Sequence, residues 1–465
     1  EYRRQRQMCI RDRKKYIWRT VACALAVMMA GTTLVGCSGQ PSDSNDSVSA
    51  VVDEEVSQSE SNEEFGSNPS GEVVIWGWDE TEILKDNLTE VYPQVTINYV
   101  TIAQTDLPQK IQTTLASGAQ MPDVIQLEAT TRGKMFALDC WENFSEAPYN
   151  VDKNIFTIDQ LPVSVDENGN LLGLPMGSVP SAMAYKRSLT KEYFGTDDPE
   201  ELSVMFSTWN DYVEKGKEVN EKSGNTVKMF AGLSDLYNVL IGQTIIPFTE
   251  GDKLNIEESL TPIFEQLVAF KQAGIVDTLE QDSPALMASY ADSTHIFYPC
   301  AQWSPRWVLK PNDSRDGEWG LMELAGGAVN WGGGVYSIPK TALNKEGAFA
   351  IIKWLTMDPE SAVPRRDELE VFTAIKSVYD DPDFYSREDS FFGGQDIDKL
   401  FAYTIIPKMD ETNVRPLNKY DVEVKDAVSS ALKTINASPD GNVDISSLIS
   451  QVEQDILSRC PELSK

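Results

Sequence analysis

The sequence predicts an α/β protein organised around two cores, and three observations point there. From Glu72 onward, short apolar runs rich in β-branched residues alternate with amphipathic stretches of helical period. At 465 residues the chain is long enough for two domains of ordinary size, each with its own core. A hydrophobic content of 41% and a mean hydropathy of −0.31 belong to a soluble globular chain, not an integral membrane one.

The first 36 residues read differently. "RDRKKYIWR" supplies positive charge, "TVACALAVMMAGT" is an apolar run too short to span a bilayer comfortably, and "LVGC" follows. This is the pattern of a secretory signal over 1–36. Leu34-Val35-Gly36-Cys37 resembles a bacterial lipobox, which makes Cys37 the expected lipidated residue. Residues 37–71, rich in Ser, Asn and acid, cannot bury enough apolar surface to fold and are expected to be a disordered tether.

The body then follows in order. "VVIWG" reads as a strand, "TEILKDNLTEVYP" as a helix, "VTINYVTI" as a strand and "LPQKIQTTLASGA" as a helix closed by Gly118. "PDVIQLE" is a strand, "TTRGKMFAL" a helix, and Asn168-Gly169 suits a type I′ hairpin turn. "SAMAYKRSL" reads as a strand. "STWNDYVEKGKEVN" is a helix that starts at Ser207/Thr208, with Asp211 placed for a capping box. "LTPIFEQLVAFKQAG" is a helix with Pro262 in its first turn and Gly274 at its end. "HIFYP" and "WGLMEL" are strand-like, "WGGGVYSIP" leads from a Gly-rich turn into a strand, and the last third is largely helical.

Charge and chemistry exclude several function classes. The formal charge is −32, and residues 37–465 hold 32 basic against 70 acidic residues, so a phosphate backbone would be repelled and nucleic acid is not a partner. The single histidine, His295, lies in an apolar run and reads as a core or rim residue. Histidine-based triads, HExxH zinc sites and His-rich metal sites all need more, or differently placed, histidines, and no metal is expected. Cys140, Cys300 and Cys460 match no zinc spacing and allow at most one disulfide. Ser188–Lys191 and Ser337–Lys340 match Ser-x-x-Lys, but the companion SDN and KTG elements of that enzyme class are absent. No catalytic residue is assigned; the chain reads as a binding protein, not an enzyme.

Four stretches, "LPQKIQTTLASGAQMPDVIQLE", "GNLLGLPMGSVPSAMAYKRSL", "TWNDYVEKGKEV" and "NWGGGVYSIPKTALNKEGAFAIIKWLT", together with "FFGGQDI", resemble in order the extracellular solute-binding proteins of ABC importers, the group that includes maltose-binding protein. The resemblance implies a type II periplasmic-binding-protein fold, with two α/β lobes joined by a multi-segment hinge around a ligand cleft. It implies one lobe over 72–177 plus 333–373 and another over 182–327 plus 378–465, with crossings near 178–181, 325–332 and 372–377. It also implies a lipid-anchored, extracytoplasmic monomer that captures a carbohydrate, in particular an oligosaccharide, without cofactor and delivers it to ABC permease subunits. A polyamine or a sugar phosphate is the alternative solute.

Candidate ligand residues follow from the rule that open α/β lobes bind beyond the carboxyl ends of strands. Sugars pair flat C–H faces with hydroxyls, so aromatic platforms beside hydrogen-bonding side chains suit them. Trp78, Asp79 and Glu80 supply both after the first strand, whereas Trp76 reads as core. Glu128 ends a strand, where a ligand role and a helix N-cap role compete; Arg132, just beyond, reads as a surface charge. Ser178, Trp303, Arg306, Trp331, Gly332, Gln395 and Tyr420 are expected at the cleft from the resemblance.

Overall fold

Val73 and Ile75 point into one apolar cluster while Val74 and Trp76 face another, so both sides of the first strand are covered. That is why it reads as an unbroken apolar run. The computed structural model describes residues 64–465 except Asp79, 410–413 and the Ile158 side chain. The signal segment, Cys37, residues 37–63 of the expected tether and Asp79 therefore lie outside the described residues. The described residues fall within one compact unit, Asn62–Lys465.

In chain order the strands are β1 (Gly71–Gly77), β2 (Val95–Thr101), β3 (Val124–Glu128), β4 (Leu174–Pro175), β5 (Ser181–Lys186) and β6 (Lys228–Phe230). They continue with β7 (Thr249–Glu250), β8 (Lys253–Leu254), β9 (His295–Ala301), β10 (Trp319–Met322) and β11 (Gly334–Ser337). One sheet has the order β2-β1-β3-β11-β4 and a second β10-β5-β9-β6, with β7 and β8 as a separate hairpin. β1 is parallel to β2 and β3, and β11 runs antiparallel to both of its neighbours. In the second sheet β6 and β9 are parallel, and β5 opposes β9 and β10. Met183 and Tyr185 of β5 enter one cluster and Ala182 and Ala184 another, so this sheet too is covered on both faces.

The chain passes from the first sheet to the second between β4 and β5 and back again between β10 and β11. Those two passages are tied together by the bridge Pro180–Asn330, and the first is also bridged, Ser178 to Phe372, to a later segment. The mixed α/β architecture agrees with the sequence reading, and most elements fall where expected. Thr208 and Asp211 form the capping box, and Gly118 closes its helix in the left-handed conformation.

Several details differ for physical reasons. The helix expected over 81–93 is two pieces, Glu80–Ile83 and Lys85–Val91, interrupted at Leu84, which is buried in the core below β1. Gly169 alone takes positive φ (+81°) in its turn, and its N–H donates to Asp166 O while the Asp166 carboxylate accepts from the backbone N–H groups of Asn168 and Asn170. A type I′ turn would need Asn168 at positive φ as well. The helix around Pro262 begins at Ile256, so the proline is internal; the apolar face from Ile256 and Leu260 extends the helix upstream of it. The strand at 181 ends at Lys186, whose ammonium is buried on the Ser289 and Asp292 carbonyls, and a helix takes over at Arg187.

Candidate functional site

The carboxyl ends of β1 and β3 and the start of β11 share one edge of the first sheet, because Gly334 sits in register with Glu128. Trp78 leaves β1 at this edge, its N–H held by Gln126 Oε1 at 2.8 Å. A β-carbon on Gly334 would stand 3.3 Å from Trp78 Cζ2 and would collide with Met176 Sδ. The glycine therefore lets the indole and the thioether approach the backbone. Gly332 has φ +105°, a conformation that favours glycine, and Trp303 Nε1 lies 3.9 Å from the position of its missing β-carbon.

Trp303 comes from the other sheet, two residues past β9, and is 38% exposed. Its indole N–H donates to Trp331 O at 3.3 Å, and the two rings meet edge to face with centroids 6.5 Å apart. Trp331 is in turn tied to the crossing strand through its N–H on Val179 O, 2.9 Å. Trp78, Glu128, Trp303, Trp331 and Gly332 are thus joined by a short chain of contacts through Gly334, with contributions from both sheets. Glu128 is the N-cap of the Ala129–Phe136 helix: its Oε2 accepts from Thr130 N at 2.9 Å and from Thr130 Oγ1 at 2.6 Å. Arg306 donates to Glu368 O at 2.8 Å and lies 5.1 Å from the Trp307 ring centroid.

Other expected ligand residues are committed to the fold. Glu80 is buried and pairs with the fully buried Arg365, whose Nε donates at 2.7 Å. Ser178 is fully buried and donates to Asp159 Oδ2 at 2.7 Å. Both ends of the Gln395 amide are taken by Leu321, whose N–H donates to Oε1 at 2.9 Å and whose carbonyl accepts from Nε2 at 2.6 Å. Gln395 therefore extends the edge of β10. Tyr420 packs into the large core of the second sheet. Arg132 is not on the surface: it is fully buried, donates to Val163 O at 2.7 Å and to Gly333 O, and so holds the glycine turn from beneath.

The structure adds two candidates that the sequence did not bring forward. Ser234 and Asp235 stand where β6 ends and the Ser234–Gly242 helix begins, a helix with no side-chain N-cap. β6 runs parallel to β9, so this loop lies at the same strand edge that leads to Trp303. Asp235 is half-buried beside Tyr298 and Pro299 and makes no hydrogen bond or ion pair among the described residues. Burial, reinforced by Asp282, pushes its carboxyl up to about 6. "FAGLSD" carried the signal: a strand end, a glycine and two polar side chains, as at "WGWDE". Among the described residues no group of three or more His, Cys, Asp or Glu could hold a metal.

Comparison with known proteins gives a consistent picture. A family model described as bacterial extracellular solute-binding protein matches residues 84–391. A lactose-binding protein of Rhizobium radiobacter is 26% identical over 375 residues, covering 72% of this chain and 82% of its own. The crystal structure of an extracellular solute-binding protein family 1 member superposes with TM-score 0.75 at 20% identity, covering 84% of this chain and 99% of that one. The galacto-N-biose/lacto-N-biose I-binding protein of an ABC transporter from Bifidobacterium longum, solved with lacto-N-biose, gives TM-score 0.66 at 17% identity, with 85% and 99% coverage.

Proposed function

Because this chain belongs to the bacterial extracellular solute-binding proteins, we propose that it captures a carbohydrate of two or more sugar units between two lobes and delivers it to an ABC permease. The observation that carries the reading is the Trp78–Gly334–Gly332–Trp303–Trp331 surface, where indole faces and close backbone meet across the two sheets. Aromatic platforms offer the C–H faces of a sugar their best contact, and Glu128 and Asp235 supply acceptors for its hydroxyls. The lactose-binding relative supports a disaccharide-sized ligand.

In this reading the lobes are 72–177 plus 333–373 and 182–327 plus 378–465, crossing near 178–181, 325–332 and 372–377. Trp78 and Glu128 lie on one side, Trp303, Arg306, Ser234 and Asp235 on the other, and Trp331 and Gly332 at the crossing between them. A ligand that touches both lobes favours closure by its higher affinity for the closed state. The protein works as a monomer held outside the cell by lipid on Cys37, and its acidic surface meets basic patches on the permease.

Isothermal titration of the purified chain with lactose, maltose and longer oligosaccharides tests this. Micromolar or tighter saturation by one sugar series, lost in Trp303→Ala, is the expected result. The unpartnered Asp235 carboxylate beside aromatic rings would also suit a polyamine. Spermidine binding that collapses at high salt, with silence across the sugars, would replace the sugar reading while leaving transport intact.

A further inference from the structure

Residues 157–160 touch all the segments that link the sheets. Thr157 N–H donates to Ala374 O at 2.7 Å, Ser178 Oγ to Asp159 Oδ2 at 2.7 Å, and Asn330 Nδ2 to Asp159 O at 2.9 Å. Gln160 Nε2 also donates to Asp159 Oδ2, at 2.8 Å. Thr157, Asp159 and Gln160 are all more than nine-tenths buried.

After these bonds are made, Thr157 Oγ1, Asp159 Oδ1, Gln160 Oε1 and Asn330 Oδ1, all buried, make no hydrogen bond of good geometry, although the Thr157 hydroxyl stands near the Asp159 carboxyl. Both amides turn their nitrogens toward Asp159, which leaves their oxygens over. A buried carboxylate with an open lone pair is costly unless something positive stands beside it. Burial is the largest influence on this carboxyl and pushes it up, and the groups that pull it back are neutral hydrogen bonds only. The nearby Arg132 spends its terminal nitrogens on Val163 O and Gly333 O.

We propose that this crossing binds one monovalent cation through oxygens of Thr157, Asp159, Gln160 and Asn330. The donor set is all oxygen, which suits a hard cation over a thiophilic or imidazole-seeking metal. It carries a single formal charge, which a monovalent ion neutralises and a divalent ion would exceed. By tying Asp159 to Asn330, the ion fixes the passage between β10 and β11 against the 157–160 turn. The inference is independent of which solute is transported.

The test is thermal unfolding of the full-length chain at pH 7.5 in NaCl, KCl or N-methylglucamine chloride at matched ionic strength, with no sugar. Sodium is expected to raise Tm saturably by about 3 °C over N-methylglucamine, and Asp159→Asn is expected to abolish the difference. Should that variant not fold, crystals of the unaltered protein soaked in thallium(I) provide a second measurement, with anomalous density beside Asp159 Oδ1 expected. Equal Tm in all three salts and no anomalous density would overturn the proposal. A Tm that follows pH but not cation identity would do the same, and would assign the charge balance to a proton on Asp159.

Discussion

Asp235 is held half-buried, and the charged group acting on it from the surrounding elements is Asp282; it in turn raises Tyr290 and Cys300. Its carboxyl is raised to about 6 from an ordinary 3.8, so the folded chain holds that proton more tightly than the unfolded chain does. Stability from this group is therefore present at acid pH and lost as pH rises from about 4 to 6. Asp235→Asn should leave stability unchanged near pH 4 and raise the unfolding free energy at pH 7.5 by on the order of 1 kcal/mol once partial solvent access is allowed for, seen as a higher Tm at pH 7.5 only. If the ionised carboxylate accepts from a ligand hydroxyl, affinity should fall as pH drops below about 6, and the asparagine variant should show no such slope in titrations at pH 5 and 7.5. Trp303→Ala should weaken sugar binding by about 1–3 kcal/mol while changing Tm little, because the ring is substantially exposed. Trp78 stood out in the sequence as an indole at a strand end, whereas Trp303 and Trp331 were brought forward by the resemblance. The roles of Glu80, Ser178 and Gln395 were not legible, since their partners Arg365, Asp159 and Leu321 are distant in the chain and local pattern carries no information about them.

At the level of elements, the Ala129–Phe136 helix links the two halves of the molecule. A β-carbon on Gly133 would collide with Asn418 O, and the next residue, Lys134, pairs with Glu423 at 2.6 Å. Backbone cannot retreat as a side-chain tip can, so Gly133→Ala should cost about 2 kcal/mol or more, read as a lower denaturation midpoint. Glu80→Ala would strand the buried Arg365 guanidinium without its carboxylate, and a loss of about 3–5 kcal/mol is expected in urea unfolding. Helix starts and stops were legible where a local cap fixes them, as at Thr208 and Gly118. They were not legible where burial overrides propensity. Leu84 interrupts its helix while buried in the core, and Pro262 sits inside a helix extended upstream by its apolar face.

For the whole molecule, contacts from both sheets at one edge mean that ligand binding should make the protein more compact. Small-angle scattering with and without saturating sugar should show the radius of gyration fall by about 1 Å; an unchanged value would argue against closure. The α/β class was legible because period-two and period-3.6 patterns alternate so regularly, and the order of motifs supplied the family. Strand order was not legible: no local feature of "GVYS" says that it inserts between two strands laid down long before it.

That insertion bears on how the protein is made. β11 occupies the gap between β3 and β4, so the first sheet stays unfinished, with the flank of β3 unpaired, until residues 334–337 have emerged. A nascent chain that ends before Gly334 cannot complete the half that begins at its amino terminus. Assembly is therefore governed by contacts remote in sequence and cannot finish before synthesis has passed residue 337. For a member of an extracellular family, the delay means that the first sheet cannot close before almost three quarters of the length is available.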